Sequence, residues 1–324
     1  MRRLVKRPTT SSSAFVSYLK GRAALHNRRE QDLLDAKGFF EDAVASDASF
    51  AVAYVGLADT YFLLGEYYSM PYAEAMSKSK DALSKALSID GNLPEAHVAL
   101  ANWLQHQYRF AEAVKEYEEA LSLNPNYAQG HHWFAICLWD MNNKARAYEE
   151  ILKAEELDPL SAVITFNIAV AAAQNDEWGK NRDAIAKLRQ LDPNGEYADL
   201  ATSFVAEIKS DLPSAAACLE SVIAKDPKDQ ASLARLGKVY ALLGEASKAR
   251  EILTRLEQTS DETNKPWNLA FIKGALGERD EMFRLLETAF GNHTLIYRAL
   301  YFETQLNIKE DERYHALLLK AGLS

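Results

Sequence analysis

The sequence has few of the residues that interrupt helices or that build covalent and metal-bound cores. Its 324 residues include 14 glycines, 9 prolines and 2 cysteines. Scarce glycine and proline favour helices joined by short turns, and a composition rich in Ala and Leu favours the same structure. Because Cys137 and Cys218 are far apart and match no metal or redox spacing, we expect both to be packed inside the fold.

Long apolar runs are also absent. The basic start of the chain is followed by Pro8 and a run of threonines and serines, where a signal peptide would have an apolar core. The longest apolar stretch, Ala162–Ala173, is interrupted by Thr165 and Asn167 and is shorter than the roughly 20 residues that span a bilayer. We therefore expect a cytoplasmic protein without membrane contact.

Positive charge is scarce outside the first residues of the chain. The formal net charge is −9, and Lys and Arg cluster only within residues 2–7. Contacts to phosphates need clustered cations, so we expect no nucleic-acid partner. We interpret residues 1–13 as a solvated basic and Ser/Thr-rich tail or linker.

A regular spacing of prolines reveals an internal repeat. Four of them are 34 residues apart, and each follows an Asn or an Asp: Pro125, Pro159, Pro193 and Pro227. Proline cannot continue a helix, so each one marks a helix end and a turn into the next unit. This period resembles that of the tetratricopeptide repeat, a helical hairpin of 34 residues.

Residues at equivalent positions of successive units form a column of the repeat. Two such columns agree with the period of 34. A column of small residues, where two helices cross closely, contains Ala58, Ala101, Ala135, Ala169, Ser203, Gly237 and Ala270. A column of large residues in the second helix contains Phe40, Leu83, Tyr117, Ile151, Ile185, Leu219, Leu253 and Leu286. One hairpin cannot bury its apolar face alone, whereas stacked hairpins bury a continuous core.

The repeat pattern predicts an all-α fold over residues 14–324. We expect a right-handed α-solenoid of about eight tetratricopeptide-type helical hairpins with a C-terminal capping helix over Asp311–Lys320. The predicted units are residues 14–48, 49–93, 94–127, 128–161, 162–195, 196–229, 230–262 and 263–293, with a cap over 294–324.

Several segments also resemble the repeat regions of multidomain bacterial regulators. They are "RPTTSSSAFVSYLKGR", "HNRR", "AYVGLADTYFLLGEY", "NPNYAQGHHWFAICL" and the final "DERYHALLLKAGL". In those proteins a cyclase, kinase or winged-helix effector and a TolB-like segment precede the repeats. The resemblance implies a sensory or regulatory module. Residues 1–13 cannot hold such an effector, so we expect either an excised repeat domain or a stand-alone array.

The motifs that enzymes need are missing. The sequence has no G-x-S-x-G elbow, no Walker A loop and no G-x-G-x-x-G loop. His97 and His131 share a repeat column, but a metal site would need two further ligands that the pattern does not supply. We therefore predict no enzyme activity, no cofactor and no bound metal.

The first helix of each unit is expected to line a concave groove. The candidate partner-binding residues form an apolar and aromatic strip with polar edges: Asn102, His106, His132, Ile136, Trp139, Phe166, Val170, Phe204 and Lys238. Aromatic anchors are typical of binding hot spots. Only Lys238 is basic, which disfavours a clamp for a C-terminal carboxylate. The alternative is that the strip packs within a tight superhelix or against the chain's own termini.

Four functions remain open on this reading. The leading hypothesis is a scaffold that binds a protein or peptide partner in the groove. The alternative is a cis-acting regulatory module of a larger bacterial regulator. An enzyme with a site hidden in the groove would require convergent titratable groups with shifted pKa values. Self-association into a homo-oligomer through the terminal repeats is the fourth possibility.

Overall fold

The computed structural model is all-helical. It describes residues 9–27, 30–67, 70–193, 195–259, 263–294, 296 and 305–323. These residues form seventeen α-helices. The helices are α1 (Ser12–Asn27), α2 (Glu30–Ser46), α3 (Ala51–Tyr67), α4 (Tyr72–Ile89), α5 (Pro94–His106), α6 (Phe110–Leu123), α7 (Ala128–Asp140), α8 (Lys144–Leu157), α9 (Ala162–Gln174), α10 (Trp178–Leu191), α11 (Tyr197–Ile208), α12 (Leu212–Lys225), α13 (Gln230–Leu242), α14 (Ala246–Glu257), α15 (Lys265–Ala275), α16 (Arg279–Gly291) and α17 (Glu312–Lys320). A short 3-10 helix, Ile308–Glu310, precedes α17.

The helices pack in consecutive pairs within two compact units, Met1–Trp133 and Phe134–Ser324. In the first unit α1 packs on α2, α3 on α4 and α5 on α6. In the second unit α9 packs on α10, α11 on α12, α13 on α14 and α15 on α16. This arrangement confirms the predicted fold class of paired helices in series.

The predicted columns account for the core. Every member of the small column is buried. In the large column all residues are buried except Ile185, which is half-buried. Small side chains let the first helices approach each other, and the large side chains fill the space between hairpins. Cys137 is buried as expected, whereas Cys218 is only half-buried, so the prediction that both cysteines are packed inside holds fully for Cys137 alone.

The repeated prolines follow helix ends, as the sequence indicates. Helix α6 ends at Leu123 and α12 ends at Lys225, two residues before Pro125 and Pro227. The intervening Asn124 and Asp226 have extended backbones, which the steric demand of the following proline favours. Their side-chain oxygens accept main-chain N–H groups two residues further on, so each turn is fixed by its own polar residue.

A second kind of turn repeats inside the hairpins. Six residues at a spacing of 33 or 34 have a positive φ: Tyr108, Asn142, Asp176, Ser210, Gly244 and Gly277. After each of them the next N–H donates to a carbonyl five residues earlier, for example Glu245 N to Tyr240 O at 2.9 Å. This is the Schellman motif, which satisfies the carbonyls at a helix end. The left-handed residue costs little when it is glycine and about 1 kcal/mol or more when it is not.

Gly244→Ala should therefore lower the free energy of unfolding by about 1 kcal/mol. No atom lies within 4 Å of the position that its Cβ would take, so the loss would come from the left-handed backbone alone. Gly38→Ala is the matched control, because Gly38 is in α2, also has open space around it and has no positive φ. We expect that change to stabilise the protein by up to about 1 kcal/mol. Urea denaturation followed by circular dichroism measures both, and equal effects would contradict the backbone explanation.

The two ends of the helical series are capped. Helix α1 begins at Ser12, inside the predicted tail 1–13, because the Ser11 hydroxyl accepts the N–H of Ala14 at 3.2 Å. At the other end, Asp311 accepts the N–H of Arg313 and caps α17. Arg313 pairs with Asp280 of α16 at 2.8 Å, so α17 closes the last hairpin as predicted.

Candidate functional site

In the first unit, the predicted groove residues are engaged in contacts within the fold. The ring of His106 stands edge-on to Phe62, with ring centroids 4.5 Å apart. Asn102 accepts a hydrogen bond from the hydroxyl of Tyr117, a residue of the large column. His132 is only 5% exposed. His132 therefore offers little free surface to a partner, whereas Asn102 and His106 are half-buried and take part in contacts within the fold.

The histidines that share a repeat column hold turns. His97 Nδ1 lies 2.7 Å from Glu116 Oε2, and His97 Nε2 lies 2.9 Å from the carbonyl of Gly91. His131 Nε2 lies 3.0 Å from the carbonyl of Pro125. Among the residues that the structure describes, no group of three or more His, Cys, Asp or Glu side chains is placed to hold a metal ion.

In the second unit, the predicted residues differ widely in exposure. Ile136 and Val170 are half-buried. Trp139 is 5% exposed, and its indole N–H is buried with no hydrogen-bond partner among the described residues. Lys238 is 9% exposed. Phe166 and Phe204 are half-buried too, and they differ from the other members of the strip in that their rings contact each other.

An aromatic cluster forms on the first helices of this unit. We use this name for Phe166 of α9 with Tyr197 and Phe204 of α11. The Phe166 ring centroid lies 5.7 Å from that of Tyr197 and 6.0 Å from that of Phe204. The guanidinium of Arg235, from α13, lies 3.5 Å from the centroid of the Phe204 ring. Such tilted ring pairs and a stacked guanidinium favour one fixed arrangement of the three rings.

A charged triad lies next to the aromatic cluster. Glu207, one turn after Phe204, accepts hydrogen bonds from Arg235 Nε at 3.1 Å and from Lys238 Nζ at 2.8 Å. Arg235 Nη2 also donates to the Ser203 hydroxyl at 2.9 Å. All three charged side chains are largely buried. The triad therefore ties α11 to α13 and holds the guanidinium over Phe204.

The two cations of the triad stabilise the ionised form of the Glu207 carboxylate. Burial by itself would raise the pKa of Glu207, but the charges of Arg235 and Lys238 outweigh it and lower the pKa from 4.5 to about 2. A general base at neutral pH works best with a pKa near that pH. Glu207 is ionised far below it, so the arrangement suits positioning rather than proton transfer.

Both thiols are unsuited to nucleophilic chemistry. Burial raises the pKa of Cys137 well above its usual value, and the nearby Asp140 raises it further. Burial also raises the pKa of Cys218, and the charge of Asp199 raises it further. Because the thiolate is the reactive form, a raised pKa disfavours it in both side chains.

The C-terminal part of the chain returns to the same surface. The side-chain amide of Gln305 donates to the main-chain carbonyl of Glu207 at 3.2 Å. This contact brings a segment from outside the repeated hairpins to the end of α11. The alternative that the strip packs against the chain's own termini stays a prediction. Gln305, Tyr197 and Arg235 were not among the predicted site residues.

Exposed apolar side chains occur at the start of the helical series. Phe15, Val16 and Leu19 of α1 are 40%, 51% and 50% exposed. Self-association through terminal repeats stays a prediction from the sequence.

Within the described residues, no helix is both long enough and apolar enough to cross a bilayer.

Two family models of the tetratricopeptide repeat match the chain. One covers residues 94–127 and the other residues 209–269. The second match contains Glu207's partners Arg235 and Lys238, so part of the charged triad lies in a recognised repeat. The narrower resemblance to multidomain bacterial regulators stays a prediction.

Two curated relatives match over part of their length. The DnaJ homolog subfamily C member 7 homolog of Dictyostelium discoideum is 25% identical over 197 residues, which are 58% of this chain and 34% of that protein. The human protein O-mannosyl-transferase TMTC3 is 28% identical over 160 residues, which are 47% of this chain and 17% of that protein. The chain thus spans about a third or less of these relatives, and the transferase name belongs to the human protein.

A solved structure shows the same fold. The APC/C hetero-tetramer Cut9–Hcn1 matches with a TM-score of 0.61 at 13% identity, over 94% of this chain and 55% of that chain. At this identity the match shows the fold alone. Residues 94–127 and 209–269 thus match the tetratricopeptide repeat, and the serial helix pairs of the whole described chain are consistent with a solenoid built from such repeats.

Proposed function

We propose that this protein is a non-catalytic scaffold that binds a peptide or a partner helix through its first helices, with the aromatic cluster as the anchor. Tetratricopeptide repeat proteins typically mediate protein–protein interactions. The observation that carries the proposal is the contact of the Phe166 ring with Tyr197 and Phe204, together with the guanidinium of Arg235 over Phe204. Aromatic side chains and arginine are the residues most enriched in binding hot spots.

The cluster is prepared for binding before a partner arrives. Arg235 is held by Glu207 and Ser203, and it lies over Phe204, so the rings and the guanidinium lose little freedom on binding. Preorganisation of this kind lowers the entropic cost of association. Glu207 is used in ion pairs within the fold, which suits the positioning of Arg235 over the ring of Phe204. A cytoplasmic location and a cis-acting regulatory role stay predictions from the sequence.

Panning a phage-displayed library of random dodecapeptides on the purified chain tests the proposal. We expect enriched peptides to bind the Phe166→Ala, Phe204→Ala double variant at least about tenfold more weakly, since a hot-spot truncation costs about 2 kcal/mol. Fluorescence polarisation with the synthesised peptides measures the loss. Trp139 is left unchanged because it is buried.

Tyr148→Ala is the matched control for this experiment. Tyr148 is a partly exposed aromatic residue on α8, the second helix of its hairpin. Its hydroxyl donates a hydrogen bond to the carboxylate of Glu177. Its replacement should leave the affinity unchanged. Peptides that bind the double variant as tightly as the wild type would overturn the role of the aromatic cluster.

A further inference from the structure

The C-terminal return segment, residues 305–308, contacts the charged triad from far along the chain. Gln305 donates to the carbonyl of Glu207, although the two residues are 98 positions apart. The next side chain, Leu306, is 9% exposed, and Ile308 is fully buried. A segment outside the repeated hairpins is thus docked beside the residues proposed to bind a partner.

An absent side chain makes room for the return segment. A Cβ added to Gly274 of α15 would lie 2.3 Å from Met282 Sδ and 3.1 Å from Leu306 Cδ1. A methyl group at this position would push against both side chains. The glycine therefore leaves a recess in which Met282 and Leu306 pack.

A guanidinium fixes the main chain of the return segment. Arg279 Nη1 donates to the carbonyl of Leu306 at 2.9 Å, and Arg279 Nη2 donates to the carbonyl of Asn307 at 3.0 Å. Arg279 Nε in turn donates to Asp311 at 3.0 Å. The planar fork of arginine suits two neighbouring acceptors, so the side chain holds two consecutive peptide carbonyls in place.

These contacts have the parts of a peptide-binding subsite. A main-chain carbonyl accepts a side-chain amide, a recess takes an aliphatic side chain, and a guanidinium holds the backbone. The subsite adjoins the aromatic cluster, because Glu207 carries the carbonyl and its carboxylate binds the Arg235 that lies over Phe204. We infer that the return segment is a built-in ligand of this face and competes with an external peptide. That peptide carries an amide side chain followed by a large aliphatic side chain.

This inference rests on the proposed peptide-binding function and adds to it the chemistry of the partner. A segment tethered beside its own subsite occupies it at a high effective concentration. An external peptide then binds only the fraction of molecules whose segment has left, and its apparent affinity is reduced by that fraction. Loosening the segment should raise the apparent affinity without any change in the aromatic cluster.

The test pans the dodecapeptide library on wild-type chain and on the Leu306→Ala variant. We expect peptides enriched on the variant to share Gln or Asn followed by Leu, Ile or Met. They should bind the variant at least about tenfold more tightly than they bind the wild type. This is expected if the fraction of molecules whose return segment has left the subsite rises from about a tenth to near unity. Gln305→Ala, which removes the hydrogen bond to the Glu207 carbonyl, should shift the affinity in the same direction.

Leu319→Ala is the matched control, because Leu319 lies in α17 and is 68% exposed. It should leave peptide affinity at the wild-type value. Equal affinities for wild type, Leu306→Ala and Gln305→Ala would overturn the inference, as would enriched peptides without the amide–aliphatic pair. Enrichment of no peptide on any chain would overturn both the inference and the proposed function.

The two proposals can fail separately in this design. Peptides that need Phe166 and Phe204 but bind all C-terminal variants equally would leave the proposed function standing alone. Peptides that bind Leu306→Ala more tightly yet ignore the Phe166→Ala, Phe204→Ala change would support the return segment and overturn the aromatic anchor.

Discussion

Replacing Glu207 by Gln is expected to lower the free energy of unfolding by about 3 kcal/mol. The change leaves the largely buried Arg235 and Lys238 without their counter-charge. Removal of one partner from a buried ion pair is costly because the remaining charge stays out of water uncompensated. The lowered pKa of Glu207 leads to a similar magnitude, since a fall from 4.5 to about 2 is worth about 3 kcal/mol by linkage. Urea denaturation at neutral pH measures the loss.

Glu281→Gln is the matched control for this prediction. Glu281 pairs with Arg284 one turn away on α16, and both side chains are exposed. Ion pairs of this kind contribute between about 0 and 1 kcal/mol, so the control should unfold almost as the wild type does. A loss at Glu207 no larger than that at Glu281 would show that the buried triad does not stabilise the second unit.

The stabilisation by Glu207 should depend on pH in a defined direction. A carboxyl group whose pKa is lowered on folding stabilises the protein fully above its unfolded pKa of 4.5 and loses that effect as the pH falls toward about 2. The difference in unfolding free energy between wild type and Glu207→Gln should therefore be constant from pH 7 down to about pH 5, and then shrink. A difference that grows with acidity would contradict the assignment of the ion pair.

The serial helix pairs could be predicted because burial imposes the same residue types at the same place in every hairpin. Ala135 and Ala169 must be small where helices cross, and Pro125 and Pro227 must follow a helix end. A period of 34 makes such constraints visible in one sequence. Ile185 is half-buried, unlike the rest of its column. The repeat fixes where a residue lies on its helix, but it does not fix how completely neighbouring side chains cover that residue.

The turn inside each hairpin was not predicted, although it repeats just as regularly. Its left-handed residue is Tyr108 in one hairpin, Ser210 in another and Gly244 in a third. The geometry is imposed by main-chain hydrogen bonds of the Schellman motif, which need no particular side chain. Glycine is the residue type that marks such a turn in a sequence, and four of these six turns have another residue at the left-handed position.

The candidate site was predicted in part for a related reason. Phe166 and Phe204 lie on the first helices of successive hairpins, and helical spacing assigned both to the predicted groove. Arg235 lies over Phe204 and was not predicted, although it is three residues before the predicted Lys238 and binds the same carboxylate of Glu207. Gln305 lies outside the repeats, and a period carries no information about where a non-repeated segment docks.

The first unit should depend most strongly on Phe40, and Phe40→Ala is expected to lower the free energy of unfolding by about 3–5 kcal/mol. Phe40 is fully buried and packs with Ala36, Leu57 and Tyr61. The ring lies where three helices meet, so its loss leaves a cavity that rigid neighbours cannot fill. Phe39→Ala is the matched control: Phe39 is half-buried under Lys20, and its loss should cost about 1 kcal/mol.

Two glycines define the space that the Phe40 ring occupies. A Cβ on Gly21 of α1 would lie 2.8 Å from the ring, and a Cβ on Gly56 of α3 would lie 2.4 Å from it. Gly56→Ala should therefore cost about 1–3 kcal/mol in the wild type through overpacking. In the Phe40→Ala background the obstacle is gone, and the same change should become stabilising by about 0.5–1 kcal/mol through higher helix propensity. A double-mutant cycle measures this reversal of sign. Additive effects of the two substitutions would show that the ring and the glycine do not meet in solution.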